Sequence, residues 1–136
     1  MTMTPASGRW TYRKIGTKAA VTYTLGMMLY SDATDNVPVV DASQSNIKGI
    51  VVEAKASSAT TVSIMIAVPS GKDCTFFADM ESGETITKAN EGDLFDFADG
   101  ALTISTASTY DPVELVKCLS SSKGEFGFNH TLGIEN

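Results

Sequence analysis

The chain has 136 residues and a mass of 14.4 kDa, enough for one domain with its own hydrophobic core and no need of staples. It is 43% hydrophobic and 19% charged, and 16 Thr and 14 Ser supply much of its polarity, which suits half-exposed strands and turns. No apolar run approaches the ~20 residues that cross a bilayer, and a net charge of −6 argues against a broad nucleic-acid surface.

The charge is unevenly placed. Residues 1–31 carry Arg9, Arg13, Lys14 and Lys18 and no acid, while residues 32–136 carry six Lys and all sixteen acids, so a segment of +4 precedes a body of −10. Met1 to Lys18 lacks the apolar stretch of a secretory signal, so the chain is expected to be made in the cytoplasm and to leave only within an assembly.

Residues 1–16 read as an extended, flexible arm ahead of a single β domain spanning 17–136. Thr4 to Gly8 offers little to pack, and Trp10 and Tyr12 are the only large groups. Trp10 either anchors the arm to a neighbour or packs on its own domain.

From Ala20 onward the chain reads as short strands between turns. Val21–Leu25 and Met27–Tyr30 flank Gly26, and Asp32 to Asn36 form a turn cluster. Ile47–Ala56 and Thr60–Val68 follow, joined through Ser57 and Ser58. In the second of these Val62, Ile64, Ile66 and Val68 alternate with smaller or more polar residues, the period of a strand. Pro69-Ser70-Gly71 ends it. Cys74–Ala78, Glu84–Lys88 and Leu94–Phe97 come next, with a short helical turn near Lys88–Glu91. Asp99-Gly100 makes a hairpin turn into Leu102–Thr106, because Asp-Gly takes positive φ readily. Val113–Leu119 and Glu125–Asn129 complete the strands, and the tail from His130 is loose. No segment of a dozen residues shows a period of 3.6, so the fold class is all-β, a small barrel or sandwich.

A faint internal echo runs at an offset of 65 residues, where Leu29-Tyr30 meets Leu94-Phe95 and Val51 meets Val116. The same offset matches Val21-Thr22 to Ile86-Thr87 and Ala42-Ser43 to Ala107-Ser108. Ala and Ser are common enough for chance matches. Taken as a repeat, the echo implies two similar β-units folded into one barrel or sandwich.

Little in the sequence points to catalysis or metal binding. The one His, His130, sits in the tail, and GxSxG, P-loop and GxGxxG motifs are absent. Cys74 and Cys118 lie in apolar strand-like runs and read as buried free thiols rather than a disulfide; without a CxxC a zinc site is not indicated. Asp32, Asp35 and Asn36 offer hard oxygen ligands for calcium, but their spacing is not that of an EF-hand and these residues are also standard turn formers. Catalytic, metal and cofactor residues are therefore expected to be absent.

A more specific pattern lies in Gly26 to Tyr30, Val39-Val40-Asp41-Ala42 and Ile47 to Ala54, then Ile86 to Ala89, Gly92 to Phe97, Val113 to Val116 and Glu125 to Asn129. It resembles the small head decoration, or cement, proteins of tailed bacteriophages. The resemblance covers residues 17–129 and rests on glycine turns and apolar strands. It implies a compact β domain, β-tulip or jelly-roll-like. It further implies a homotrimer on the capsid exterior at threefold or quasi-threefold positions, where it bridges subunits of the major capsid protein. No catalytic residue, cofactor, membrane or nucleic acid is implied. By position and chemistry Arg9, Trp10, Tyr12, Arg13 and Lys14 match a capsid-binding arm. The alternative is a carbohydrate- or receptor-binding β-sandwich domain of a virion fibre, with Tyr23, Tyr30 and Tyr110 as candidate aromatic contacts.

Overall fold

The computed structural model describes residues 3–31, 36–38, 46–57, 60–98 and 102–129, and among them the chain is all-β. The strands are β1 (Thr4–Ser7), β2 (Trp10–Gly16), β3 (Met28–Ser31), β4 (Asn36–Pro38), β5 (Ile47–Val51) and β6 (Ser63–Pro69). They continue as β7 (Thr75–Asp79), β8 (Leu94–Phe97), β9 (Ile104–Ser105), β10 (Val113–Ser120) and β11 (Lys123–Phe128). Two antiparallel sheets result, one in the order β1-β7-β11-β10-β8-β9 and the other in the order β2-β6-β5-β3-β4. The sheets do not close on themselves, so the arrangement is that of a sandwich and not of a barrel.

Alternation places the core. On β6 Ile64, Ile66 and Val68 are buried and Ser63 is exposed, the period of two expected from sequence. They join one cluster with Ile50 of the same sheet and with Phe76, Val113, Leu115 and Phe126 of the other. Phe76 lies 6.0 Å from Phe126 and 5.1 Å from Phe128, ring centre to ring centre. Each such side chain, fully buried, contributes about 1.5–3 kcal/mol.

The two sheets share one pattern. Set β2, β3, β4, β5 and β6 against β7, β8, β9, β10 and β11, and the second sheet repeats the order of the first, with β1 added at its edge. The register repeats too. Met28 opposite Ile50 matches Leu94 opposite Glu114, and Leu29 opposite Gly49 matches Phe95 opposite Val113. Val51 opposite Ile66 matches Leu115 opposite Phe126, and Arg13 opposite Ile66 matches Phe76 opposite Phe126. Backbone bonds outside the strands follow suit. Gly26 N–H donates to the Val51 carbonyl at 2.8 Å, and Gly92 N–H to that of Leu115 at 2.8 Å. Thr17 N–H donates to the Val62 carbonyl and Met80 N–H to that of Ser122, both at 2.8 Å. Gly26 and Gly92 end equivalent turns with φ of 80° and 94°, where a side chain would be strained. The chain therefore holds one five-stranded unit twice. Counterparts are not a constant 65 residues apart: the separation runs from 60 (126 − 66) to 68 (104 − 36).

Residues 4–16 are not a detached arm, which corrects the expectation of a flexible segment at 1–16. Thr4, Pro5 and Ser7 pair with Phe77, Phe76 and Thr75, and β2 pairs with β6 along its whole length. Met3 is 2% exposed and sits in the core. Thr75 Oγ–H donates to Glu125 at 2.5 Å, and the Ser7 hydroxyl donates to Thr75 at 2.6 Å, which ties β1, β7 and β11 together. Between β1 and β2 the chain crosses from one sheet to the other at Gly8, where φ is 84° and a Cβ would meet the Cα of Cys74 at 2.7 Å. Turn composition and the scarcity of large apolar groups hid these strands, because their pairing depends on partners some 60 residues away (69 − 10).

Other boundaries shift. Ile47–Ala56 stops as a strand at Val51, and Glu84–Lys88 is not a strand. Around Val21–Leu25 the pairing is a single bridge from Tyr23 to Lys55. The expected helical turn is present at Lys88–Asn90. Asp32 and Asp35 of the calcium idea, Ser58, Asp99-Gly100 and the tail from His130 lie outside the described residues, though β8 and β9 pair antiparallel on either side of Asp99-Gly100. Asp96 is 4% exposed, and its carboxylate accepts the N–H groups of Thr109, Tyr110 and Asp111 at 2.9–3.1 Å, fixing the loop into β10.

Both cysteines are free, but only Cys74 is buried; Cys118 is half-exposed, a correction to the expected burial of both. It follows a bulge in β10 between Leu115 and Lys117 that disturbs the strand's alternation. Alkylation of the native protein is expected to label Cys118 well before Cys74, as peptide mapping would show. Met3→Ala is expected to cost about 2–4 kcal/mol in urea denaturation, as for a core methionine; a cost below about 0.5 kcal/mol, within the range of surface substitutions, would mean that the segment is a free arm after all.

Candidate binding edge

Among the described residues, strand β2 has β6 on one side and no strand on the other. Arg9 C=O accepts the N–H of Ser70 at 2.9 Å, and Thr17 N–H donates to Val62 C=O at 2.8 Å. Odd-numbered residues thus face β6. Antiparallel alternation then directs the N–H and C=O groups of Trp10, Tyr12, Lys14 and Gly16 away from the sheet. All five residues assigned to a capsid-binding arm lie on this strand or next to it.

Their surroundings separate them. Arg9, Tyr12, Arg13 and Lys14 are exposed, Tyr12 at 62%. Trp10 is half-buried: its ring packs 6.0 Å from that of Phe128, and its indole N–H donates to the Ser7 carbonyl at 3.0 Å. Trp10 therefore packs on its own domain, the second of the two readings left open. Lys14 pairs with Glu53 at 3.0 Å, the one ion pair among the described residues. Tyr12, Arg13 and Arg9 are left as an aromatic and two cations aimed at solvent beside an open strand edge. The sequence singles out these residues but not the edge they lie on, because edge status follows from which strands pair.

Among the described residues, a cleft of about 760 Å³ lies elsewhere, lined by Glu84, Asn90, Gly92, Asp93, Phe95 and Thr106 among others. Glu84 accepts from both the hydroxyl and the N–H of Thr106, and Asn90 donates to Asp93 at 3.1 Å, so these polar groups mostly serve each other. The described residues contain no group of three or more His, Cys, Asp or Glu placed to hold a metal ion. Of the tyrosines considered as sugar platforms, Tyr23 is wholly buried, with its hydroxyl accepting the Lys18 N–H at 2.9 Å, and Tyr30 is half-buried. Tyr110 is 52% exposed.

Two carboxyls titrate low. The Lys14 ammonium, then the Met65 N–H, holds Glu53 below the ordinary 4.5, and the Thr106 hydroxyl, then its N–H, does so for Glu84. Their folded pKa values being depressed, both stabilise the fold fully above about pH 4.5 and lose that contribution as pH falls through the folded values. Carbon-detected NMR titration is expected to place both midpoints below the ordinary 4.5. Lys14→Ala should raise the Glu53 midpoint and leave that of Glu84 where it is.

No protein-family model matches the chain, and no curated protein matches it.

Proposed function

We propose that the chain is a binding and assembly protein without catalytic activity, and more narrowly a capsid decoration protein of a tailed bacteriophage. In this reading it is a homotrimer on the outside of the shell at threefold or quasi-threefold positions, bridging subunits of the major capsid protein. The observation that carries the reading is β2: an edge strand that presents Arg9, Tyr12, Arg13 and Lys14 together to solvent on an otherwise acidic protein. The finer fold type that the resemblance implies, β-tulip or jelly-roll-like, belongs to the same proposal.

The physical logic is one of added contact. A subunit that touches several capsomers adds interface area to a thin shell under internal pressure, and three linked sites multiply a modest affinity through effective concentration. Open edges such as β2 also need cover, which neighbours in an assembly supply.

A flexible arm would have to be ordered on binding, at a cost of about 1–2 kcal/mol per residue. Attachment through β2 instead uses a strand already formed, so little ordering free energy is lost on docking. Tyr12, and not the half-buried Trp10, is then the aromatic anchor. Truncated anchors at an interface centre cost about 2 kcal/mol or more, some thirtyfold in affinity. Cryo-microscopy of expanded shells with added protein is expected to show trimers at threefold positions. Tyr12→Ala and Arg13→Glu should each weaken shell binding at least tenfold without changing the urea midpoint. Undecorated shells at saturating protein would overturn the reading.

A further inference from the structure

The repeated unit treats one strand in two opposite ways. β7, in the second unit, lies between β11 and β1, and Cys74 just before it and Phe76 and Ala78 on it are at most 1% exposed. Its counterpart β2 has, among the described residues, a neighbour on one side only. The residues equivalent to those three are Thr11 and Arg13, both exposed, and Ile15, half-buried. Elsewhere the two units match in strand order and register, so this strand is where the internal symmetry is broken.

The geometry of the missing neighbour can be read from β1. Met80 N–H donates to Ser122 C=O at 2.8 Å, so even-numbered residues of β7 face β11 and the odd-numbered Thr75 and Phe77 face β1. The counterparts of Thr75 and Phe77 are Tyr12 and Lys14, whose backbone groups point outward in the same sense. β1 sets Thr4, Pro5 and Ser7 against Phe77, Phe76 and Thr75. The same register on β2 falls on Lys14, Arg13 and Tyr12. The second backbone contact of the N-terminal segment shows a matching difference. Met3 N–H donates to the Gly26 carbonyl at 3.1 Å, whereas Gly92, the counterpart of Gly26, lines the open 760 Å³ cleft.

We propose that the outer edge of β2 takes up an extended, acidic segment of a partner protein as an added antiparallel strand, in the register that β1 adopts on β7. Charge selects this occupant. Residues 1–31 contain four cations and no acid, and Arg9 and Arg13 are exposed while Lys14 is already paired with Glu53. A second copy of β2 would bring the exposed Arg9 and Arg13 of both copies to one edge with no acid of β2 to offset them, and like charges close across a strand pair destabilise it. A second copy of β1 brings no charge and is engaged on its own β7. The inference rests on the docking role given above to β2 but makes no use of a capsid.

The test uses the full chain and two synthetic octapeptides, one alternating Glu with Thr and Val, the other with Lys in place of Glu. The acidic peptide is expected to slow amide exchange at Tyr12 and Lys14 at least tenfold and to leave Thr11 and Arg13, already bonded to β6, unchanged. Tyr12→Pro removes an outward N–H at a place where a sheet edge tolerates proline, and it should abolish the effect. Arg13→Glu keeps every N–H and should weaken the acidic peptide at least tenfold while favouring the basic one, which guards against misfolding of the proline variant. Equal protection by the Lys peptide, protection confined to other strands, or none at millimolar peptide would overturn the proposal. So would slow exchange at Tyr12 in the free protein that vanishes on dilution, since a second copy would then be the occupant. Shell binding is read separately. Decorated shells with no peptide effect remove this inference alone, and a peptide effect with bare shells removes the capsid reading alone.

Discussion

The hydrogen-bonded chain from Ser7 through Thr75 to Glu125 is the tie on which the arrangement of the N-terminal third depends. It fixes β1 to the edge of the larger sheet, with its partners 68 and 118 residues away in sequence. Once Ser7 is held there, the chain has two residues in which to reach the other sheet. Only a residue without a Cβ can turn so close to Cys74, and Gly8 is that residue. The Cys74 thiol donates to the Arg9 carbonyl at 3.0 Å on the far side of the turn. Trp10 then leans on Phe128 as β2 begins. Two strands adjacent in sequence thus belong to different sheets and hold them together, which a free arm could not do.

Much of the fold was legible from alternation and turn chemistry. Ile64, Ile66 and Val68 announce β6, and Leu94–Phe97 is a strand as expected. What stayed hidden is what depends on distant partners. β1 and β2 carry few apolar groups in regular alternation, so nothing local marks them as strands. Arg13 even lies on the face of β2 that its counterpart Phe76 turns to the core. The basic and aromatic residues of the candidate site could be named from sequence, but their standing as an open edge could not, since that depends on the absence of a neighbour.

The internal repeat shows the same limit from another side. A fixed offset of 65 pairs Leu29 with Leu94, while the sheets pair it with Phe95, and Val51 with Leu115 instead of Val116. One residue of slip in a strand exchanges the buried and exposed faces. Loops of unequal length move the true separation between 60 and 68, so no single offset can register more than part of it. The two units keep pairing and turn geometry in common and differ in side chains. That is the expected result when backbone hydrogen bonds must be satisfied in the same way but each unit faces a different environment.

The reach from Ser7 to Thr75 also sets an order of events during synthesis. The pairs among β2 to β6 are all available once residue 69 has emerged, whereas β1 must wait for β7. At about 5–20 residues per second, the 68 residues between Ser7 and Thr75 take roughly 3–14 s to follow. Through that interval a nascent chain holds β1 unpaired next to a finished sheet with an open edge. Neighbouring chains on one message could pair through these strands. Pro5, which lacks an N–H in the middle of β1, and the cations Arg13 and Lys14 on β2 both discourage such pairing. The proline of β1 and the cations of β2 thus guard both edges while the chain is still incomplete.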